Sequence, residues 1–326
     1  MAQKKYLLDV CIIRFALIFI LVAYHAFCPY SGIWDSPDGF QTNKIYYCLG
    51  HFFISFMLES FVFISGLVFG YQIRNKGKEN VCNRHLITNK LKRLILPSIF
   101  FSAIYFVLFI DTTNTPFDIT SLIWDGFGHM WFLPMLFKCF LIMGLLEYFN
   151  CNKTIVSILA LLSSIICTIY PTPYIDSTPN YFFFFLAGTY IGESNFKIAK
   201  YSTFKNIIFS GIIFLILFIA HIKTYNKFFS FPMSLSGVLF VYLLANRIIL
   251  MPKVHISEKV VNFSNYCFGV YIYQEFILKL LYYNLNLLEI CPSLLTPWIG
   301  IIITLPLSII LTHLTRQTKF GRYLIG

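Results

Sequence analysis

Two ionisable residues stand inside one apolar run. From about Tyr6 to Cys28 the chain is hydrophobic for long enough to cross a bilayer, yet it holds Arg14 and His25. A charge at the centre of a spanning helix costs about 2.5–3.5 kcal/mol on insertion scales, so each needs a reason to be there. Eleven positions of about 100° make three turns plus about 20°, which puts both residues on one helix face, about 16 Å apart along the axis. The helix then offers a fixed cation toward one leaflet and, near the opposite surface, an imidazole able to take a proton near neutral pH. Snorkelling accounts for Arg14 alone and an interfacial position for His25 alone. Neither accounts for their alignment along one interior path.

Other polar residues within apolar runs extend the set. Glu59 lies deep in the second run and should face the interior, protonated or paired. Lys138 falls near mid-membrane in a run opened by Gly128-His129-Met130-Trp131, and needs Glu59, Glu275 or an anionic ligand as partner. Glu275 and Lys279, four apart, satisfy one another on a helix. Lys90 and Arg93, three apart, close the basic stretch 74–93 on one side of a helix whose course Pro97 fixes or kinks. Such cations suit a polyphosphate, with Arg93 offering a bidentate fork, although a simple membrane anchor would also be basic. His25, His51 and His129 come at one outer level. No two are spaced i, i+4 and no Cys or Asp completes a ligand motif, so no metal is expected. The nine cysteines are scattered and read as reduced apolar side chains.

The elements that must position these residues follow from composition. Of 326 residues 58% are hydrophobic and 12% charged, against about a quarter charged in soluble domains. This is an all-α polytopic membrane protein; the alternating pattern of a membrane barrel is absent. Spans are expected near residues 6–28, 46–73, 94–110, 129–147, 154–170, 180–194, 207–222, 231–250, 263–285 and 294–314. The first is too long, and lacks the cleavage site, for a removable signal. Ten crossings put both termini on one side, together with 19 of the 25 Lys and Arg, leaving three on the other. The positive-inside rule makes that side cytoplasmic. The net charge of +11 is thus an orientation signal and an attraction to anionic lipid, not a nucleic-acid surface. Trp34, Trp124, Trp131 and Trp298 all fall near the expected outer interface. Gly66 and Gly70 form a small-xxx-small face for close helix approach. Residues 1–326 read as one transmembrane domain, without internal repeat or low-complexity tract.

The pattern Arg14-x10-His25, Phe63-Ile-Ser65-Gly66-Leu67, Lys90-x-x-Arg93-Leu-x-x-Pro97, His129-Met-Trp131-Phe-Leu133 and Phe268-Gly-Val-Tyr271-Ile resembles, in order and spacing, the membrane-bound acyltransferase family 3. The resemblance covers nearly the whole chain and implies a stand-alone membrane domain of about ten spans in the bacterial inner membrane. It implies transfer of an acyl group, usually acetyl, from cytoplasmic acyl-CoA to a hydroxyl of a glycan on the far face. It makes His25 the catalytic base, Arg14 its donor-side or structural partner, and Lys90 and Arg93 contacts to the CoA phosphates. On the acceptor side Trp131, His129, Glu59 and Lys138 are the candidates, with Trp34 and Tyr30 able to stack on sugar rings. Many relatives carry a histidine where this chain has Gln274, so any role of that group is missing here or passes to Glu275.

Two readings from other classes remain at this level. A glycan or small-molecule transporter would also carry charges within its spans, although paired broken helices in inverted repeats are not evident. A non-catalytic subunit of a polysaccharide assembly complex would not bind acyl-CoA. Acceptor sugar, acyl chain and oligomeric state are not written in the residues.

Overall fold

The computed structural model describes residues 8–110, 118–170, 177–194, 198–251 and 258–325. The expected start of the first span near Tyr6 lies outside them. Among the described residues all regular structure is helical. Seven helices are long and apolar enough to span a bilayer: α1 (Leu8–Ala26), α2 (Lys44–Lys76), α3 (Arg84–Phe109), α4 (Gly128–Tyr148), α7 (Phe204–Thr224), α8 (Lys227–Leu250) and α10 (Thr296–Gln317). The other three expected spans fall on shorter helices: α5 (Lys153–Ile169), α6 (Thr178–Glu193) and α9 (Cys267–Lys279). The chain divides into two compact units, Met1–Phe61 with Lys197–His313, and Val62–Phe196 with Leu314–Gly326.

In the first unit α1 packs against α8, α9 and the short helix Glu258–Ser264. Its neighbour α9 runs parallel to it. Cys267 Sγ lies 3.8 Å from the Arg14 carbonyl, Glu275 meets His25, and the Tyr282 hydroxyl donates to the Ala26 carbonyl at 2.9 Å. These contacts ascend both segments in the same order. α10 runs antiparallel to α9, with Thr312 against Gly269 and Gly300 against Tyr282. α9 passes directly into a π turn, Leu280–Asn284, a geometry that concentrates at functional sites.

In the second unit the small-residue face of α2 meets an equivalent face of α6. A Cβ on Gly66 or Gly70 would fall on the carbonyls of Phe185 or Thr189; one on Gly188 or Gly192 would fall on those of Phe63 or Leu67. Two glycines four apart on each helix therefore let the backbones touch, as small-xxx-small pairs do in lipid. A second π turn, Leu91–Ile95, interrupts α3 at the basic motif. The helix Ile119–Trp124 is capped by Asp118, whose carboxylate accepts from the backbone N–H groups of Thr120 and Ser121.

Candidate active site

His25 occupies the last turn of α1 and is 8% exposed. Its Nδ1 lies 3.1 Å from the Leu21 carbonyl. A carbonyl only accepts, so Nδ1 must carry the proton in that contact. The other ring nitrogen, Nε2, lies 3.3 Å from Glu275 Oε2, and Glu275 is 3% exposed. The carboxylate is therefore the neighbour of any proton carried on Nε2. Trp34 roofs the pair: its ring stacks on the imidazole at 5.7 Å and 28°, and the Lys279 ammonium sits 5.2 Å from the indole. Trp34 is held in turn against Tyr282 and Tyr283, and Tyr283 donates to the Asp35 carbonyl at 2.8 Å.

Arg14 and His25 both face α9, Arg14 near its first turn and His25 near its last. The Arg14 carbonyl lies 3.8 Å from the Cys267 thiol. Among the described residues no carboxylate is within ion-pair distance of the Arg14 guanidinium. Gln274, the neighbour of Glu275, is fully buried, and neither atom of its amide has a partner among the described residues. On antiparallel α10 the buried Ser308 hydroxyl likewise has no partner among the described residues. Glu59 is bound by Ser234 at 2.9 Å, and the same hydroxyl lies 2.8 Å from the Ser55 carbonyl. One hydroxyl proton serves only one of these acceptors, so both contacts are satisfied when the Glu59 carboxyl carries its own proton.

The second unit holds the remaining candidates. The basic motif runs through the π turn Leu91–Ile95 of α3: Arg93 is exposed, while the half-buried Lys90 sets its ammonium 3.4 Å from the Phe140 ring centroid. His129 is buried in the 3-10 turn Gly128–Trp131 beside Tyr105. Lys138 donates to the Trp124 carbonyl at 2.8 Å, because its long stem reaches back to the loop helix above α4. With Trp124, Asp125, Trp131, Met135 and Ser177 it lines a cavity of about 240 Å³. Tyr30, expected to face outward, is 2% exposed in the first unit and donates to the Ser293 carbonyl. Its phenol pins the outer end of the bundle and presents no stacking face.

Sequence reasoning missed the Glu275–His25 pairing. Lys279, one turn on, offered a local partner that made Glu275 look self-sufficient. The available signal was a second ionisable residue, Glu275, inside an expected span.

A buried imidazole and carboxylate 3.3 Å apart thus lie within a bundle of helices long and apolar enough to span a membrane. A family profile described as an acyltransferase domain matches residues 8–313. The chain belongs to acyltransferase family 3 and is a membrane acyltransferase. Comparison with curated proteins and with solved structures gave no significant match.

Proposed function

We propose that this chain moves an acyl group, acetyl in the simplest case, from cytoplasmic acyl-CoA to a hydroxyl of an extracytoplasmic glycan. It would work in the bacterial inner membrane with its N-terminus cytoplasmic, and His25 would be the base. The observation that supports this is the His25–Glu275 pair. A hydroxyl is a poor nucleophile until its proton is taken, and a positioned base contributes typically about 10²–10⁴-fold. The 3.3 Å separation is longer than a tight charge-assisted bond of about 2.7–2.9 Å. An acceptor hydroxyl placed at that edge would donate to the Nε2 lone pair of the neutral imidazole.

As the hydroxyl oxygen bonds to the thioester carbonyl carbon, its proton passes to Nε2. The imidazolium is then held between the Leu21 carbonyl and the Glu275 carboxylate. Collapse of the tetrahedral intermediate breaks the C–S bond, and the departing CoA sulfur takes the proton. The products are the O-acyl glycan and free CoA thiol. On the donor side, Arg93 and Lys90 are the residues that would hold the CoA phosphates, with Arg14 as a further cation.

The test is acyl-CoA-dependent labelling of lipid-linked glycan in membranes that contain or lack this protein. Label that appears only with the protein supports the reading. Equal labelling in both membranes, with the protein present at normal level, contradicts it.

A further inference from the structure

The segment that contains α7 and α8, from Ser194 to Ser257, holds no aspartate or glutamate. Its cations at the end where α7 begins and α8 finishes therefore have no carboxylate within the hairpin to answer them. The adjoining residues 195–197 and 252–257 contribute Lys197, Lys253 and His255 and no acid.

The fold gathers three cations at this end. Arg247, in the last turn of α8, is half-buried and sets its guanidinium over the Phe204 ring at 4.6 Å. Its Nε is enclosed without a hydrogen-bond partner among the described residues, and no carboxylate there lies within ion-pair distance of it. Asp9, on the neighbouring α1, accepts instead from the Val10 N–H at 2.9 Å. Phe204 opens α7, so the exposed Lys205 follows directly. The turn Ile198–Lys200 packs on α8 and brings the exposed Lys200 to the same end. The positive end of the α7 dipole lies there too. A half-buried guanidinium without a counter-ion is costly, and its terminal nitrogens match the oxygens of a phosphate.

The surface next to the cations says what carries that phosphate. From Phe204 onward α7 presents Phe204, Ile208, Ile212, Leu215 and Ile219, all exposed and three or four positions apart, as one apolar row. A headgroup held by Arg247 has its acyl chains beside this row, whereas a free phosphate would leave the row unused. An ethanolamine headgroup would bring its ammonium among three cations; a glycerol headgroup adds no positive charge.

We infer that this end of the α7–α8 hairpin is a binding site for one anionic phospholipid, its phosphate held by Arg247, Lys205 and Lys200 and its acyl chains laid along the row from Phe204 to Ile219. The site is local, unlike the diffuse attraction of a basic face to a charged bilayer, and it is independent of the acyl-transfer reading.

Native mass spectrometry of the purified full chain tests this, after delipidation and exposure to equal amounts of dioleoyl-phosphatidylglycerol and dioleoyl-phosphatidylethanolamine. The native chain should retain one phosphatidylglycerol with at least about fivefold preference, the factor that a single interfacial cation supplies. Arg247→Gln should erase the preference. Lys223→Gln, in the last turn at the opposite end of α7, should leave it unchanged. A double variant, Lys200→Gln with Lys205→Gln, changes two exposed side chains and should also lower the preference, so the inference stays open to refutation if Arg247→Gln does not fold. Glycerol 3-phosphate at the lipid's concentration should not displace the bound lipid. The inference is overturned by equal retention of the two lipids, by a preference that Arg247→Gln or the double variant leaves intact, by an equal loss in Lys223→Gln, or by displacement with glycerol 3-phosphate. Since no turnover is read, failure here leaves the catalytic reading of His25 intact.

Discussion

His25 presents Nε2 to Glu275 at 3.3 Å while its Nδ1 is committed to the Leu21 carbonyl at 3.1 Å. Both ring nitrogens therefore have a neighbour, and in the proposed mechanism the carboxylate faces the one that takes the acceptor's proton. This reverses the more familiar arrangement in which a carboxylate orients the base from its far side and leaves Nε2 open. In that mechanism Glu275 would fix the ring and offset the charge of the imidazolium as it forms.

Glu275→Gln removes the charge and keeps the shape. The expected outcome is a fall in kcat of about 10²–10³-fold with the KM for acyl-CoA little changed. Glu275→Asp should recover part of the loss. Steady-state kinetics on the two purified variants reads both effects. A Glu275→Gln enzyme within about twofold of the native rate would mean that the carboxylate is only a packing partner.

Trp34 sets the imidazole plane from above, with Lys279 on the indole. Trp34→Ala should lower kcat by about tenfold through loss of ring positioning. Trp34→Phe, which keeps a flat apolar face, should retain most activity. Equal loss in both variants would point instead to a specific contact of the indole N–H.

The four-glycine contact of α2 and α6 carries packing and no chemistry. Gly66→Leu or Gly188→Leu should part the two backbones. The cost should exceed the about 1–3 kcal/mol of ordinary overpacking, because rigid carbonyls stand in the way. The expected result is a lower melting temperature and lower yield in membranes. A melting temperature unchanged by either substitution would show that the helices do not approach this closely.

The buried amide of Gln274 has no partner among the described residues, and an unsatisfied buried group costs about 1–3 kcal/mol. Gln274→Met should hold or raise the melting temperature and leave acyl transfer unchanged, since the neighbouring Glu275 faces His25. Loss of transfer with a normal melting temperature would assign the amide a part in the reaction.

Helical class, membrane residence and the glycine face of α2 were legible in the chain because each depends on local pattern: apolar run length, charge density and a four-residue repeat. The common orientation of Arg14 and His25 was legible for the same reason, since one helix fixes it. What was not legible depends on distant segments or on departures from ideal helix. Glu275 lies far along the chain from His25, and a local partner masked it. The π turn at Leu91–Ile95 and the contact of Lys90 with Phe140 carry no local residue signature. Lys138 was placed by the depth of its Cα, whereas its flexible stem carries the ammonium to the Trp124 carbonyl. Tyr30 looked like an outer aromatic until the chain folded Ser293 over it.

Single-turnover transfer of labelled acetyl from acetyl-CoA to glycan by purified protein in liposomes, comparing the native chain with His25→Ala, bears most directly on His25. The expected result is a loss of at least about 10²-fold with acetyl-CoA affinity preserved. Transfer at the native rate by a folded His25→Ala protein would show that the proton leaves the acceptor hydroxyl by another route, and the imidazole would lose its place in the chemistry.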